Sequence, residues 1–426
     1  MLSRGFVTLW FAMLVAMAGI SMVSPLLPLY VQDELGGPAV AVALSFSGLA
    51  IAQIIAAPLV GRLGDRFGAK RFIVMGFTIY AAGAIGYLFA THWGMVVGFR
   101  ILSGIGAAGV FPMTLAYVGR LSPEGREGRY MGWFSVAQIG GFGLGPLFGG
   151  GMRDAFGSDA AFGSMALLLA ATALSTFLFL PSDAPQAAKE GEEPEVRLPV
   201  QSFRALLRRP AVQASTLLVM LTALGWGSAS TWLAVYVISE EGLGTDSALF
   251  VGILLSSRSL LNAALQPYTG QLADRVSRMG LVVAGLAIGG VAQVAIPLVP
   301  HILVDTSIFG SALVMAPWVL AAMLVAGFGE ALAFPAQQAI FVQVGRRVGM
   351  SSLMGLNSMG SSLGFLSGSL VGALVKTQFG IESVFYMAGG LALLGIGVFV
   401  VLMRRAREDL AGGPAEGSLG LAEAAV

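Results

Sequence analysis

The sequence predicts an all-α membrane protein with twelve transmembrane helices in two pseudo-symmetric six-helix bundles. Three observations carry this expectation. Hydrophobic residues make up 56% of the 426 and charged residues only 11%, with a mean hydropathy of +0.82, a composition that cannot be wrapped into a water-soluble globule. Apolar runs of about twenty residues, the length that crosses the hydrocarbon core as a helix, recur twelve times. The frame Gly61-x-Leu63-x-Asp65-Arg66 returns as Gly270-x-Leu272-x-Asp274-Arg275, each copy preceded by a proline, Pro58 and Pro267, at a constant displacement of 209 residues. A duplication of this kind divides the chain into two six-helix halves, 1–181 and 211–404, with a linker at 182–210 and a tail at 405–426.

The runs lie near 6–30, 40–60, 72–90, 94–118, 130–151, 160–181, 211–238, 247–268, 280–299, 314–342, 350–375 and 383–403. They read as helices because lipid offers no partners to backbone polar groups, which must bond within the segment. The first run, after Arg4, is too long for a signal peptide and continues into a polytopic chain. With the amino terminus inside, the loops and tails of one face hold 20 of the 24 basic residues, and the other face only Arg153 and Lys376. Basic residues are retained in the cytoplasm during insertion, so both termini are expected there. The absence of cysteine excludes disulfides and thiolate chemistry; His92 and His301 fall in separate loops, and no metal or cofactor is expected. A formal charge of +1 does not suggest nucleic acid.

Taken in chain order, the second run closes on the charged turn Gly61–Arg71. Its glycines, Gly61 and Gly68 among them, permit a tight reversal. Asp65 can pair with Arg66, Lys70 or a neighbouring helix start, and a charge latch of this kind holds one conformation shut. The blander reading of Lys70 and Arg71 is topology signalling. In the fourth run, Arg100 carries a charge whose burial in lipid is expensive, so it faces a wet cavity, finds a partner, or snorkels outward. Gly104-x-Gly106 before Phe111-Pro112 recurs in the tenth run as Gly327-x-Gly329 before Phe334-Pro335, displaced by 223 residues. The same displacement carries Gly141, Gly145 and Gly149 of the fifth run onto Gly364, Gly368 and Gly372 of the eleventh. Glycines four apart let a second backbone approach closely. Tight packing explains part of this; recurrence in both halves suits a sliding interface between two rocking bundles. The string Gly104 to Gly109 is formally GxGxxG, but no strand precedes it, so it is no dinucleotide site.

The fifth run reads Gly132-x8-Gly141-x3-Gly145-Pro146-x2-Gly149-Gly150. A glycine-proline pair weakens the helical ladder and permits a bend. The eleventh run has Ser369 where the fifth has Pro146, so the hinge is one-sided. In the linker, an acidic stretch from Glu190 to Glu195 reads as a solvated tether, and the basic piece from Phe203 to Arg209 as lying along an anionic leaflet. The seventh run supplies Trp226, Ser228, Ser230, Thr231, Trp232 and Tyr236, groups that suit amphiphilic organic molecules and their cations. Trp232 and Tyr236 fit an outer aromatic belt equally well, which leaves Trp226 as the deep candidate. Arg258 lies in the eighth run. Glu330, in the tenth, is the one acidic residue near the centre of any run, and an intramembrane carboxylate is a proton or substrate site by default, with a structural pair to Arg258 as the competing reading. Under the repeat, Arg100 corresponds to Met323, seven residues before Glu330 and so almost on its helix face. The two are therefore expected to face the same way. The tail after Arg407 reads as disordered.

Over nearly the whole chain these residues resemble the major facilitator superfamily. The turn Gly61-Arg62-Leu63-Gly64-Asp65-Arg66-Phe67-Gly68-Ala69-Lys70-Arg71 is similar to that family's signature between helices 2 and 3, and Arg275 is followed by Arg278 alone in the weaker second copy. Arg100-Ile101-Leu102-Ser103-Gly104-Ile105-Gly106 resembles the helix 4 signature. The glycine pattern from Gly132 to Gly150 is similar at every fixed position to the helix 5 signature of proton-coupled drug and metabolite exporters, although the first span lacks the acidic residue that many of them carry. The resemblance implies a secondary transporter working by alternating access, with helices 1, 4, 7 and 10 around a midplane cavity. It implies a small-molecule substrate, protons and the lipid bilayer as partners, no cofactor, and function as a monomer in a bacterial or archaeal cell membrane. On that reading Glu330, Arg100, Arg258 and Trp226 are the proton or substrate candidates, Gly61, Asp65, Arg66, Gly68, Lys70, Arg71, Asp274 and Arg275 form the latch, and Gly132, Gly141, Gly145, Pro146, Gly149 and Gly150 form the hinge. The alternative on the same fold is a facilitator or proton symporter for a sugar or metabolite. A membrane sensor or intramembrane enzyme is the remoter alternative, without metal cluster, nucleophile-base spacing or soluble catalytic domain to support it.

Overall fold

Long apolar runs with few breakers leave the backbone little choice but to bond within itself, and the computed structural model, which describes residues 3–183, 203–238, 240, 242–245, 248–308 and 311–406, is almost wholly helical. Among the described residues twelve long helices form: α1 Arg4–Leu29, α2 Ala39–Phe67, α3 Ala69–Leu88, α4 Trp93–Leu121, α5 Glu127–Phe156, α6 Ser158–Phe179, α7 Pro210–Ile238, α8 Ala248–Ala273, α9 Arg278–Ala295, α10 Pro317–Val348, α11 Met350–Phe379 and α12 Glu382–Arg405. Ten of them are long and apolar enough to span a membrane. The other two are α5 and α8, one rich in glycine and the other interrupted by Arg258, Asn262 and Gln266, and they pack against each other across the molecule.

Glycine fixes the three one-residue turns, at Gly68, Gly157 and Gly349. Gly68 joins α2 to α3 at φ 86°, a left-handed conformation that a side chain resists, and its N–H closes α2 on the Gly64 carbonyl at 3.0 Å. Each half packs in the same way: α1 on α5 and α7 on α11, α3 on α4 and α9 on α10, α2 on α4 and α8 on α10. Between the halves, α2 meets α11 and α5 meets α8.

Two departures from the expected spans have local causes. The apolar letters from 296 to 316 extend the ninth and tenth runs on paper, but Pro297 and Pro300 stop α9 at Ala295. The chain then forms an antiparallel hairpin, β1 Val304–Ile308 with β2 Ser311–Met315 in the register Val304 to Met315, before Pro317 starts α10 in its first turn. The acidic tether at 184–202 and the tail at 407–426 lie outside the described residues, and Phe203–Leu207 forms a single short helix.

The apolar core is asymmetric along the helix axes. At the face that carries the chain ends it is continuous through both halves, joining Phe6, Tyr117 and Met131 to Phe341, Met350, Leu353 and Met403. At the opposite face the second half has a separate core, built on Leu233, Tyr236, Phe250, Val319 and Phe385.

Candidate functional site

Helices α5 and α11 begin without a cap of their own, after Arg126 and Gly349, and no side chain from either position bonds the first turn. The exposed N–H groups and positive dipole of a helix start attract a carboxylate. Each receives one from the other half. Asp65, near the end of α2, accepts from the Ser351 and Ser352 N–H groups of α11, both at 2.8 Å. Asp274, just after α8, accepts from the Gly128 and Arg129 N–H groups of α5 at 2.8 and 2.9 Å. Donors and acceptors correspond under the two displacements read from the sequence, 223 and 209 residues. Gly349 makes room for the first of these, since a Cβ there would stand 2.6 Å from the Asp65 carboxylate.

Arginines complete both contacts. Arg120, at the end of α4, pairs with Asp65 at 3.0 Å and Asp183 at 2.6 Å, and donates to the Ser351 hydroxyl across the boundary at 2.5 Å. Asp183 in turn caps α3 through the Ala69 and Lys70 N–H groups. In the second copy, Glu127 is fully buried between Arg278 and Arg346, each 2.6 Å away and each from the other half. Burial pushes the Asp274 carboxyl above its ordinary value, outweighing the Arg129 and Gly128 N–H groups and Arg278, which pull it down. Arg66 and Lys70, expected as partners of Asp65, make no ion pair with it among the described residues; they lie over the Phe67 and Phe177 rings. Arg71 and Arg275 likewise stand outside the paired set. Sequence reading missed Arg120, Glu127 and Arg346 as participants because charges at helix ends read there as topology signals.

Glycines bring the backbones together beneath these charges. A Cβ at Gly61 would fall 2.6 Å from the Ser351 carbonyl, and one at Gly132 would fall 2.5 Å from that of Gln266. Gly141, Gly145 and Gly149 do not lie between the bundles: they face Leu14, Met17, Ala18 and Met22 of α1, as Gly364, Gly368 and Gly372 face α7. The expectation of a sliding interface there is corrected, because i, i+4 glycines serve any close helix pair and the pattern cannot name the partner. Helix α5 continues without a break through Gly145, Pro146, Gly149 and Gly150.

Within the span, Arg258 pairs with Glu330 through Nη2, and its Nε lies 3.3 Å from Oε2. About a third of the Glu330 side chain stays accessible, at 33%, against 11% for Arg258. Asn262 donates to the same carboxylate at 3.4 Å, and Gln266 donates to Asn262 at 2.6 Å. Neither amide stood out in the sequence, although Arg258, Asn262, Gln266, Gly270 and Asp274 recur every four residues, the signature of one helix ridge. Arg100 is in a different setting. It is 5% exposed, its guanidinium lies 5.2 Å from the Phe46 ring centre, and its Nε is buried without a hydrogen-bond partner. It does not snorkel, and it does not share the accessibility of Glu330. Trp226 is 44% exposed and tilts against Phe365 at 5.2 Å. Tyr236 is buried and its hydroxyl meets His301 at 2.9 Å, so it is no part of a lipid-facing belt. Among the described residues no group of three or more His, Asp or Glu side chains assembles to hold a metal.

Comparison with known proteins matches residues 9–316 and 306–423 to the family model of the Major Facilitator Superfamily. A multi-drug resistance efflux pump PmrA homolog of Lactococcus lactis is 25% identical over 405 residues, covering 93% of this chain and 92% of that protein. Multidrug resistance protein MdtG of Salmonella paratyphi A is 26% identical over 398 residues, 92% and 93% of the two chains. In fold, the chain is similar to the human organic anion transporter MFSD10 (TETRAN), with a TM-score of 0.74 at 18% identity over 93% of this chain and 99% of that one.

Proposed function

The chain belongs to the major facilitator superfamily, and from that membership we propose that this integral membrane transporter is a proton-coupled exporter of small organic or amphiphilic compounds. The paired imported caps carry the reading of alternating access. Two carboxylates, one per half, hold the opposite half by its helix starts at one face, while the apolar core is divided at the other. A molecule built this way has one mouth shut and can exchange which one. The basic loops support placing the shut mouth and both termini at the cytoplasm.

Glu330 is the proton carrier in this proposal. It is the one acidic residue near the middle of a span, it keeps a third of its surface accessible, and Arg258 can release or retain it as its charge changes. Export is supported by the helix 5 pattern and by the similarity to multidrug resistance proteins. The substrate crosses without covalent change and no cofactor takes part; Trp226 and its neighbours offer it aromatic surface. One protomer in a bacterial or archaeal cell membrane suffices. The second reading, a facilitator or proton symporter for a sugar or metabolite, is favoured by one observation: Arg258 already neutralises Glu330 in this conformation.

The test is proton movement in liposomes containing the protein and an internal pH dye, after addition of lipophilic cations, sugars or amino acids, for the natural chain and Glu330→Gln. Substrate-dependent proton flux that the substitution abolishes is expected. Substrate flux without proton movement, equal in both proteins, would discard the coupling and leave a facilitator.

A further inference from the structure

We propose that Asn262 and Gln266 are positioning residues that relay the charge state of Glu330 to the contact between α8 and α5. The inference rests on the reading of Glu330 as the proton carrier. Glu330 has one ion partner among the described residues, Arg258, and the neighbouring Gly329 meets α9 through Gly285 and Gly289, which bring no charge. Its remaining contact is the amide of Asn262.

From there the hydrogen bonds run in one direction. Asn262 gives its Nδ2 to the carboxylate, so its Oδ1 is left to accept, and Gln266 must supply the donor, at 2.6 Å. The Gln266 Oε1 is then stranded: it is buried and has no partner. Asn262 and Gln266 are 8% and 0% exposed, so bulk solvent does not reach the amides. A chain with both donors aimed at Glu330 suits a charged carboxylate.

A proton on Glu330 turns one of its oxygens into a donor, and the favourable orientation of both amides reverses. Asn262 then accepts from Glu330 and donates to Gln266, whose Oε1 is no longer stranded. The group Gln266 presents away from the chain changes from acceptor to donor. This happens at the residue whose backbone oxygen lies against Gly132 of α5, one turn before Gly270, which meets Gly128, and two turns before Asp274, which caps α5. The i, i+4 ridge winds around α8, so it begins on the α10 side at Arg258 and ends on the α5 side at Asp274. Site and latch are thus joined by a polar ridge of a single helix, and the element both bias is the α5–α8 pair.

The experiment uses the full chain in lipid nanodiscs, with spin labels on Phe179→Cys and Val401→Cys, exposed positions near the terminal-face ends of α6 and α12. The chain has no cysteine of its own to interfere. The distance between labels and the infrared carboxyl band absent from Glu330→Gln are followed together through a pH titration. In the natural chain, band and distance should shift with one midpoint. In Gln266→Met, which keeps length and removes the amide, the band should still titrate while the distance change falls at least threefold. Asn262→Leu should behave likewise, and serves if the first variant does not fold. Full distance change in either variant overturns the relay and leaves the carrier standing. A natural-chain band that does not titrate overturns the carrier and the relay with it.

Discussion

Arg258 and Glu330 form a pair for which losing one member is worse than losing both. Separating partners in a buried ion pair costs about 3–5 kcal/mol because the survivor keeps its charge without compensation. The accessible third of Glu330 brings in solvent screening, which reduces the expectation here to roughly 1–3 kcal/mol. Arg258→Met should therefore lower the melting temperature in detergent more than the double change Arg258→Met with Glu330→Gln. Equal melting of the two proteins would mean that the pair contributes nothing to stability and that Arg258 is held by packing alone. Both members were legible in the sequence as charges inside apolar runs. Asn262 and Gln266 were not, because amides are tolerated in membrane helices and become conspicuous only when a carboxylate lies at the end of their row. Arg100 was legible as an anomaly but not as a buried one: its cover, the Phe46 ring, comes from another helix.

At the scale of elements, the two helices that begin uncapped make closure of one face a property of helix starts. A carboxylate at such a start is worth about 1 kcal/mol from capping and a few tenths more from the dipole. Asp65→Ala or Asp274→Ala, which remove the capping acceptor, should each raise the fraction of time the terminal face is open by roughly fivefold, the factor that corresponds to about 1 kcal/mol. Labelling of Ser352→Cys reports this, since Ser352 is 5% exposed and lies against Gly61 across the α2–α11 boundary, so parting of the bundles should uncover it. Unchanged labelling in both variants would remove the caps from the mechanism. Asp274 adds a pH dependence whose sign follows from linkage. Its carboxyl is raised above 3.8 in the closed contact, so that state binds the proton more tightly than a solvated one. Acidification through the range above 3.8 should favour closure, the full cost of the buried charge should be felt at neutral pH, and Asp274→Asn should abolish this part of the pH profile. Helix existence and order were readable from apolar runs, and the aspartates from their duplication. The imported caps were less so: Arg126 and Gly349 are poor caps by residue type, but which carboxylate replaces them depends on how the halves dock.

For the molecule as a whole, the decisive feature is that packing is continuous at one face and divided at the other. Interiors are close-packed and resist gradual deformation, so a shift between two such arrangements is a switch and not a flexing. Among the described residues, the contacts that cross the boundary run from the terminal face to mid-span: Gly61 against Ser351, Gly132 against Gln266, Glu127 between Arg278 and Arg346, and Gln53 against Ser358. Residues deeper along the same helices, Gly141 to Gly149 and Gly364 to Gly372, are spent inside their own bundles and move with them. Each half is therefore a body with its own glycine-seated helix pair, and the boundary is the set of contacts that must break. Joining it covalently should stop the cycle. Gln53→Cys with Ser358→Cys places two thiols on facing sides of a contact that the natural side chains span at 3.1 Å, in a chain without other cysteines, so a short thiol-reactive linker with an internal disulfide can join them. The cross-link should trap the terminal face closed, reduce transport in liposomes at least tenfold, and be fully reversed by reductant. A cross-linked protein that transports at the uncross-linked rate would mean that this boundary does not open during turnover, and the two bundles would have to exchange access by some route other than parting at α2 and α11.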